Sequence, residues 1–228
     1  MRSLLTLVLA ATAALPAAEG RLLATDQGTD DLRLVVGTAP ALRRIDLRGV
    51  AGAGSTTHSE EWTGAPRIGT AVGLRYLHGW WMDEDGGLKT GVTLLREGVE
   101  ATLTREATGD ERPYRVTTTS LTLDVGPSIR VDQDSLDFPG DFVEFEFLAH
   151  LGAARGVAEA GGVASNSFHA LRFGFTAGVI LTTFSRWQVG LEAGYANLSA
   201  HRLQWGNSAE SSIAAQGLVA GLNLGYRW

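Results

Sequence analysis

The stretch Leu218-Val-Ala-Gly-Leu-Asn-Leu-Gly-Tyr-Arg-Trp228 decides the fold class. Apolar or aromatic residues alternate along it with residues that are mostly small or polar, and the sequence finishes on an aromatic residue. Because a β-strand places successive side chains on opposite faces, one face of this segment is apolar and the other carries glycine and polar groups. A transmembrane β-barrel has to seal its last strand against its first, so the pattern favours that architecture.

The amino-terminal segment has the features of a secretory signal peptide. Met1-Arg2-Ser3 precedes the apolar run Leu4–Leu15, and small residues follow up to Gly20. This run is too short to cross a bilayer as a helix, which takes about 20 residues. We therefore expect residues 1–20 to be a signal peptide and residues 21–228 to form one barrel domain.

Composition narrows the possible functions. The chain has no cysteine, which excludes disulfides, thiolate metal sites and cysteine nucleophiles. Its net charge is −6 and no basic patch offsets it, which argues against a nucleic-acid partner. A hydrophobic content of 44% with 29 glycines fits a membrane barrel, in which only alternate residues face lipid and small side chains suit a narrow interior. We expect no cofactor and no bound metal.

Alternating hydrophobicity predicts an all-β fold, an eight-stranded antiparallel up-and-down transmembrane β-barrel. The predicted strands are Leu32–Asp46, Pro66–Trp80, Gly87–Leu103, Tyr114–Val131, Phe142–Val157, Phe168–Thr183, Trp187–Leu203 and Ile213–Trp228. An even number returns the carboxyl terminus to the periplasmic side, so the outward loops are Leu47–Ala65, Thr104–Pro113, Ala158–Ser167 and Gln204–Ser212. A soluble β-sandwich or lipocalin-like barrel is the alternative, but it would place its apolar face inward.

Aromatic residues are predicted to mark both membrane boundaries. This layout places Trp80, Trp81, Trp187, Tyr226 and Trp228 at the periplasmic rim. It places Tyr114 and Trp205 near the outer rim.

The strand face opposite the apolar one carries charges of both signs. The side chains predicted to point into the lumen are Arg33, Arg75, Lys89, Glu97, Asp124, Arg130, Glu144, Glu146, His150, Arg172 and Glu192. An unpaired buried charge is expensive, so we expect these groups to pair and to fill the lumen. The alternative is an ion or proton path along Glu144, Glu146 and His150, but an eight-stranded barrel is only just wide enough for its own side chains.

The signal peptide, the eight alternating segments, the inward Arg and Glu residues and the terminal Gly-Leu-Asn-Leu-Gly-Tyr-Arg-Trp together resemble the small outer-membrane β-barrel superfamily, of the OmpA-like or OmpX-like kind. The resemblance covers the mature chain and implies an outer-membrane location, contact with outer-membrane lipid and lipopolysaccharide, and a monomer. We expect no peptidoglycan-binding domain. The last strand resembles the signal read by the barrel-assembly machinery, formed here by Leu222, Leu224, Tyr226 and Trp228, with Trp at the end where Phe is usual.

Some barrels of this kind modify lipid A, and a lipid A deacylase needs a hydroxyl nucleophile, a histidine base and a carboxylate. Ser199 and His201 share one face of the seventh predicted strand, and Glu210 lies across the following loop. The lipid A deacylase pattern has histidine before serine, and here the order is reversed. Ser167 and His169 form a similar pair without a nearby carboxylate.

Two groups of acidic residues are candidate cation sites. His58, Glu60 and Glu61 lie in the first outward loop, and spacing alone names no coordination geometry. Asp132, Asp134, Asp137 and Asp141 cluster in one turn but lack the bidentate glutamate of a calcium loop. Both are interpreted as solvated loops, and no metal residue is predicted.

The sequence thus predicts a non-enzymatic barrel with a structural or surface-interaction role. Its first alternative is a conduit for small or hydrophobic molecules, in the manner of OmpW-like barrels. Its second alternative is a lipid A modifying enzyme that uses Ser199, His201 and Glu210.

Overall fold

A computed structural model describes residues 28–51, 56–64, 67–81, 85–132, 142–160, 162–183, 185–205 and 209–228. The expected signal peptide, residues 1–20, lies outside this range. Among the described residues, no helix is long and apolar enough to cross a membrane.

Within the described residues the chain is built of β-strands. Their bounds are β1 (Thr29–Ala39), β2 (Leu42–Ala51), β3 (Thr56–Thr63), β4 (Gly69–Trp81), β5 (Gly86–Arg105), β6 (Glu111–Asp132), β7 (Phe142–Ala160), β8 (Val163–Ala164), β9 (Phe168–Thr182), β10 (Trp187–Trp205) and β11 (Ala209–Arg227).

Eight of these strands form a closed ring in the order β1-β4-β5-β6-β7-β9-β10-β11, and every neighbouring pair is antiparallel. The ring closes where β1 pairs with β11, with Leu32 opposite Tyr226 and Val36 opposite Leu222. The terminal strand therefore seals against the first one, and the predicted eight-stranded antiparallel barrel is confirmed.

The first predicted strand and the first predicted outward loop need correction. Leu32–Asp46 is two strands, β1 and β2, interrupted at Pro40, which has no N–H to donate to the sheet. Near this break the hydroxyl of Thr38 accepts a hydrogen bond of 2.8 Å from the backbone N–H of Ala220.

Leu47–Ala65, predicted to be a loop, contains the end of β2 and all of β3. β2 pairs with β11 and β3 pairs with β5, so at the outer end these two strands take the places of β1 and β4 in the ring. The sequence did not predict these two strands because their outward side chains are polar rather than apolar. Arg44, for example, forms ion pairs with Asp46 and Glu61 on the outward face.

The outer surface of the ring carries a broad apolar belt. Large apolar side chains point outward from every ring strand, and Leu191, Leu224 and Phe175 are 64%, 51% and 60% exposed. Such a continuous exposed apolar surface is unfavourable in water and matches a bilayer. An apolar belt around a polar lumen is the arrangement of an outer-membrane barrel, which excludes the soluble alternative.

The strands continue well beyond the belt. β5, β6 and β7 contain 20, 22 and 19 residues, whereas crossing a membrane takes about 9–11. In the outer part the inward face is apolar, and its members form an outer core of Leu42, Ile45, Trp62, Val99, Ala101, Leu103, Tyr114, Val116, Ala154, Ala158, Ala160, Phe168, Ala170, Leu198, Ala200, Leu203, Ile213 and Ala215. The outer part of the barrel therefore has the apolar interior and polar exterior of a water-soluble fold.

The predicted outer aromatic boundary is wrong. Tyr114 and Trp205 point inward at the outer core. The Tyr114 ring centroid lies 5.9 Å from that of Trp62 and 6.3 Å from that of Trp205. Strand parity explains this, because Tyr114 shares its face with the inward Asp124 of β6. At the periplasmic rim Trp80, Trp187, Tyr226 and Trp228 do point outward, whereas Trp81 is buried inside.

Candidate functional site in the charged lumen

The lumen is lined by polar side chains from all eight strands of the ring. The predicted residues Arg33, Arg75, Lys89, Glu97, Asp124, Glu144, Glu146, His150, Arg172 and Glu192 all lie on inward faces, and all but Glu192 are buried. Glu192 keeps 10% of its side chain exposed. They group into a periplasmic cluster, a central cluster and an outer pair.

The periplasmic cluster consists of Asp31, Arg33, Lys89, Glu144, Glu146 and Arg227. Arg33 donates to Glu146 over 2.6 Å and to Asp31 over 2.7 Å. Arg33 lies on β1 and Glu146 on β7, which are diametrically opposite in the ring. One ion pair therefore spans the whole lumen at this level.

The remaining cations of the periplasmic cluster complete its charge balance. Lys89 contacts all three carboxylates, at 2.8 Å from Asp31, 2.5 Å from Glu144 and in a short contact with Glu146. Arg227 lies 2.5 Å from Asp31 and 2.7 Å from Glu144. Three cations thus face three carboxylates, and each charge is paired as burial requires.

The central cluster consists of Arg75, Thr93, Asp124, His150, Thr176 and Glu192. Arg75 forms a 2.5 Å ion pair with Glu192 and donates to the Thr93 hydroxyl over 3.0 Å. The His150 ring lies 2.8 Å from Asp124 through Nδ1 and 2.9 Å from Thr176 through Nε2. The adjoining cavity is about 40 Å³, which holds a few water molecules rather than an open bore.

The outer pair is formed by Glu97 on β5 and Arg172 on β9. Two parallel hydrogen bonds of 3.0 Å join the guanidinium to the carboxylate. This bidentate arrangement is the strongest form of such a contact. It lies between the central cluster and the outer core.

Sequence reasoning missed three groups that the structure adds to the periplasmic end. Asp31 precedes the predicted start of the first strand, although it has the parity of Arg33. Arg227 lies between the outward Tyr226 and Trp228, so its inward direction was readable from the same alternation. Gln188 bridges Arg33 and Asp31 and was passed over because it carries no charge.

Other predicted positions lie elsewhere. Arg130 faces inward at the periplasmic end, where its guanidinium stacks over the rings of Trp81 and Phe142 at 3.9 and 4.0 Å. Leu222, Leu224, Tyr226 and Trp228 form one outward row beside β1. This places the proposed assembly signal at the closing seam of the barrel.

The hypothetical triad is spread along the outer wall. Ser199 and His201 follow the outward face of β10, and residues two apart in a strand have Cα atoms about 6.7 Å apart. Glu210 pairs through its backbone with Gln204, and its side chain lies outside the described residues. Ser167 accepts a hydrogen bond from Arg155 rather than from His169.

The candidate cation sites are only partly described. Glu61 pairs with Arg44, whereas the side chains of His58 and Glu60 lie outside the described part. The Asp132, Asp134, Asp137 and Asp141 side chains also lie outside it. Within the described ranges, no group of three or more histidine and acidic side chains could hold a metal ion.

Comparison with known proteins gives structural neighbours and no sequence relatives. No family model and no curated protein matches the chain. Among solved structures it is similar to Ail, the attachment invasion locus protein of Yersinia pestis, at 11% identity and a TM-score of 0.39, covering 89% of this chain and 99% of Ail. The outer membrane protein OprG of Pseudomonas aeruginosa is 10% identical with a TM-score of 0.47, and the match covers 88% of this chain and 96% of OprG. The outer membrane protease OmpT of Escherichia coli is 9% identical with a TM-score of 0.39, and the match covers 92% of this chain and 99% of OmpT. These neighbours are bacterial outer-membrane barrels of varied kinds.

Proposed function

We propose that this chain is a non-enzymatic, monomeric outer-membrane barrel with a structural or surface-interaction role. Its lumen is closed by paired charges. The outer part of the barrel, where the strands continue beyond the apolar belt, is called the outer extension here. It is a rigid platform that holds the connecting loops above the membrane surface. The observation that carries this proposal is the ion pair between Arg33 and Glu146, which joins opposite walls of the barrel.

The closed lumen is supported at three successive levels. The periplasmic cluster bridges the ring, the central cluster adjoins a cavity of only about 40 Å³, and the outer core fills the far end with apolar side chains. A permeating ion would have to break buried pairs and cross an apolar layer, and both steps are costly. The same pairing opposes an ion path along Glu144, Glu146 and His150, since cations or hydroxyls already engage these groups.

The platform role is supported by the length and packing of the extension. Loops on a packed scaffold keep a defined arrangement, which suits recognition of a surface partner. The loops at the outer ends of the strands, called the tips, are short. For example, β5 ends at Arg105 and β6 begins at Glu111. The walls of the extension therefore offer more surface to a partner than the tips do.

Planar-bilayer recording of the purified, folded protein tests the proposal. We expect no persistent channels above the detergent control. Stable conductance steps, or uptake of small apolar solutes by protein-containing vesicles, would favour the OmpW-like conduit instead.

Mass spectrometry of lipid A tests the enzymatic alternative. Lipid A from cells with and without the protein should have the same acyl pattern. A pattern that changes with the wild-type protein but not with the Ser199→Ala variant would contradict the proposal and assign a deacylase.

A further inference from the structure

A row of polar side chains with three cationic or basic members crosses the outer surface at the upper edge of the apolar belt. We call Arg96, Thr119, Arg155 and His169 the cationic arc. Each is the first polar outward residue after the apolar run of its strand, following Leu94, Leu121, Ala153 and Leu171 respectively. The arc is continuous across four strands, because Arg96 pairs with Thr119, Thr119 with Arg155, and Arg155 with His169.

The arc is exposed and carries uncompensated charge. All four residues are exposed, and Arg155 is oriented by a 3.1 Å hydrogen bond to the Ser167 hydroxyl. The next outward carboxylates on these strands are Glu100 and Glu159, each four residues farther out, or about 13 Å along the strand. Glu100 is already paired with Arg115.

We infer that the cationic arc binds the phosphate groups of lipopolysaccharide in the outer leaflet. The end of the apolar belt is the level at which acyl chains give way to the phosphorylated sugar headgroup. Guanidinium groups match phosphate oxygens in a bidentate manner, and Thr119 and His169 supply further hydrogen-bonding groups between and beside them.

Strand spacing also fits this ligand. Arg96 and Arg155 are separated by one intervening strand, so their backbones lie about 9.6 Å apart. Long arginine side chains can converge on one phosphate across Thr119 or hold two neighbouring ones. The lipid's acyl chains would then lie on the belt below, along Leu121 and Leu171. This inference rests on the outer-membrane placement of the proposed function and is independent of whether the lumen conducts.

The test measures binding of diphosphoryl lipid A to the folded full-length protein in detergent micelles by native mass spectrometry. We expect the wild-type protein to bind it, and the double variant Arg96→Gln and Arg155→Gln to bind at least about tenfold more weakly, as for loss of charge-assisted hydrogen bonds. The Arg115→Gln variant is the matched control, since it removes an exposed arginine above the arc, and its binding should not change.

Two further arms identify the ligand source and guard against a folding defect. Lipid A without phosphates should bind wild type as weakly as diphosphoryl lipid A binds the double variant, and inorganic phosphate should not displace the lipid. The Thr119→Glu variant keeps both arginines but adds a repulsive carboxylate, and it should also lose binding. The inference would be overturned if the wild type and the folded double variant bound diphosphoryl lipid A equally. It would also be overturned if the wild type bound dephosphorylated lipid A as well as the diphosphoryl form, or if inorganic phosphate displaced the lipid. A conducting lumen, in contrast, would overturn only the proposed function.

Discussion

The bidentate pair between Glu97 and Arg172 allows a quantitative test of how dry the lumen is. The side chains are only 5% and 9% exposed, so removing one partner leaves a nearly buried charge without its counterion. Loss of one partner of such a pair costs about 3–5 kcal/mol, while replacing both by apolar residues of similar volume is close to neutral or stabilising. We therefore expect Glu97→Leu and Arg172→Met each to lower the free energy of unfolding by that amount and the double variant to recover most of it.

The assay is equilibrium urea unfolding of each variant in lipid vesicles, followed by tryptophan fluorescence. The exposed ion pair of Glu100 with Arg115 serves as the control cycle, because its side chains are 62% and 59% exposed. Each of its single substitutions should cost about 0–1 kcal/mol. If single changes at Glu97 and Arg172 cost no more than those at the exposed pair, water reaches the lumen and the closed-lumen argument fails.

Three further predictions concern packing, the lipid belt and assembly. Gly194→Ala should prevent stable folding, because its added Cβ would lie 2.0 Å from the carbonyl oxygen of Phe175. Gly98→Ala is the control, since its added Cβ meets nothing closer than 4.0 Å and this variant should fold normally. A gel assay of the folded form compares the two variants, and equal folding would refute the packing argument. Leu191→Arg should destabilise the barrel in vesicles by up to about 2–4 kcal/mol, because Leu191 lies on the outward apolar belt, and an unchanged urea midpoint would contradict that placement. Deleting Trp228 should slow insertion by the purified assembly machinery while leaving spontaneous detergent refolding intact, and unchanged insertion would refute its role as an assembly signal.

The membrane-spanning part of the barrel could be predicted from sequence because two different solvents act on its two faces. Lipid outside and a charged lumen inside impose strict alternation, as at Leu191 beside Glu192 or Tyr226 beside Arg227. The same rule gave the inward direction of the lumen residues. Their pairing partners could not be predicted, since Arg33 and Glu146 meet only when the ring closes.

The outer extension was harder to predict because its alternation has the opposite sense. There water lies outside and the apolar core inside, so Tyr114 and Leu103 point inward although apolar residues face outward lower on the same strands. For the same reason the sequence predicted a loop where the end of β2 and all of β3 lie. The interruption at Pro40 was visible in the sequence, but its consequence for pairing depends on β11, which is far away along the chain.

The central claim is that the chain closes into an outer-membrane barrel. Gel mobility of the protein from purified outer membranes, with and without boiling, tests it most directly, because a closed barrel resists detergent until it is heated. The account predicts that the protein is found in this fraction and that its unboiled and boiled forms migrate differently. A protein found instead in the soluble periplasm, with the same mobility before and after boiling, would contradict it.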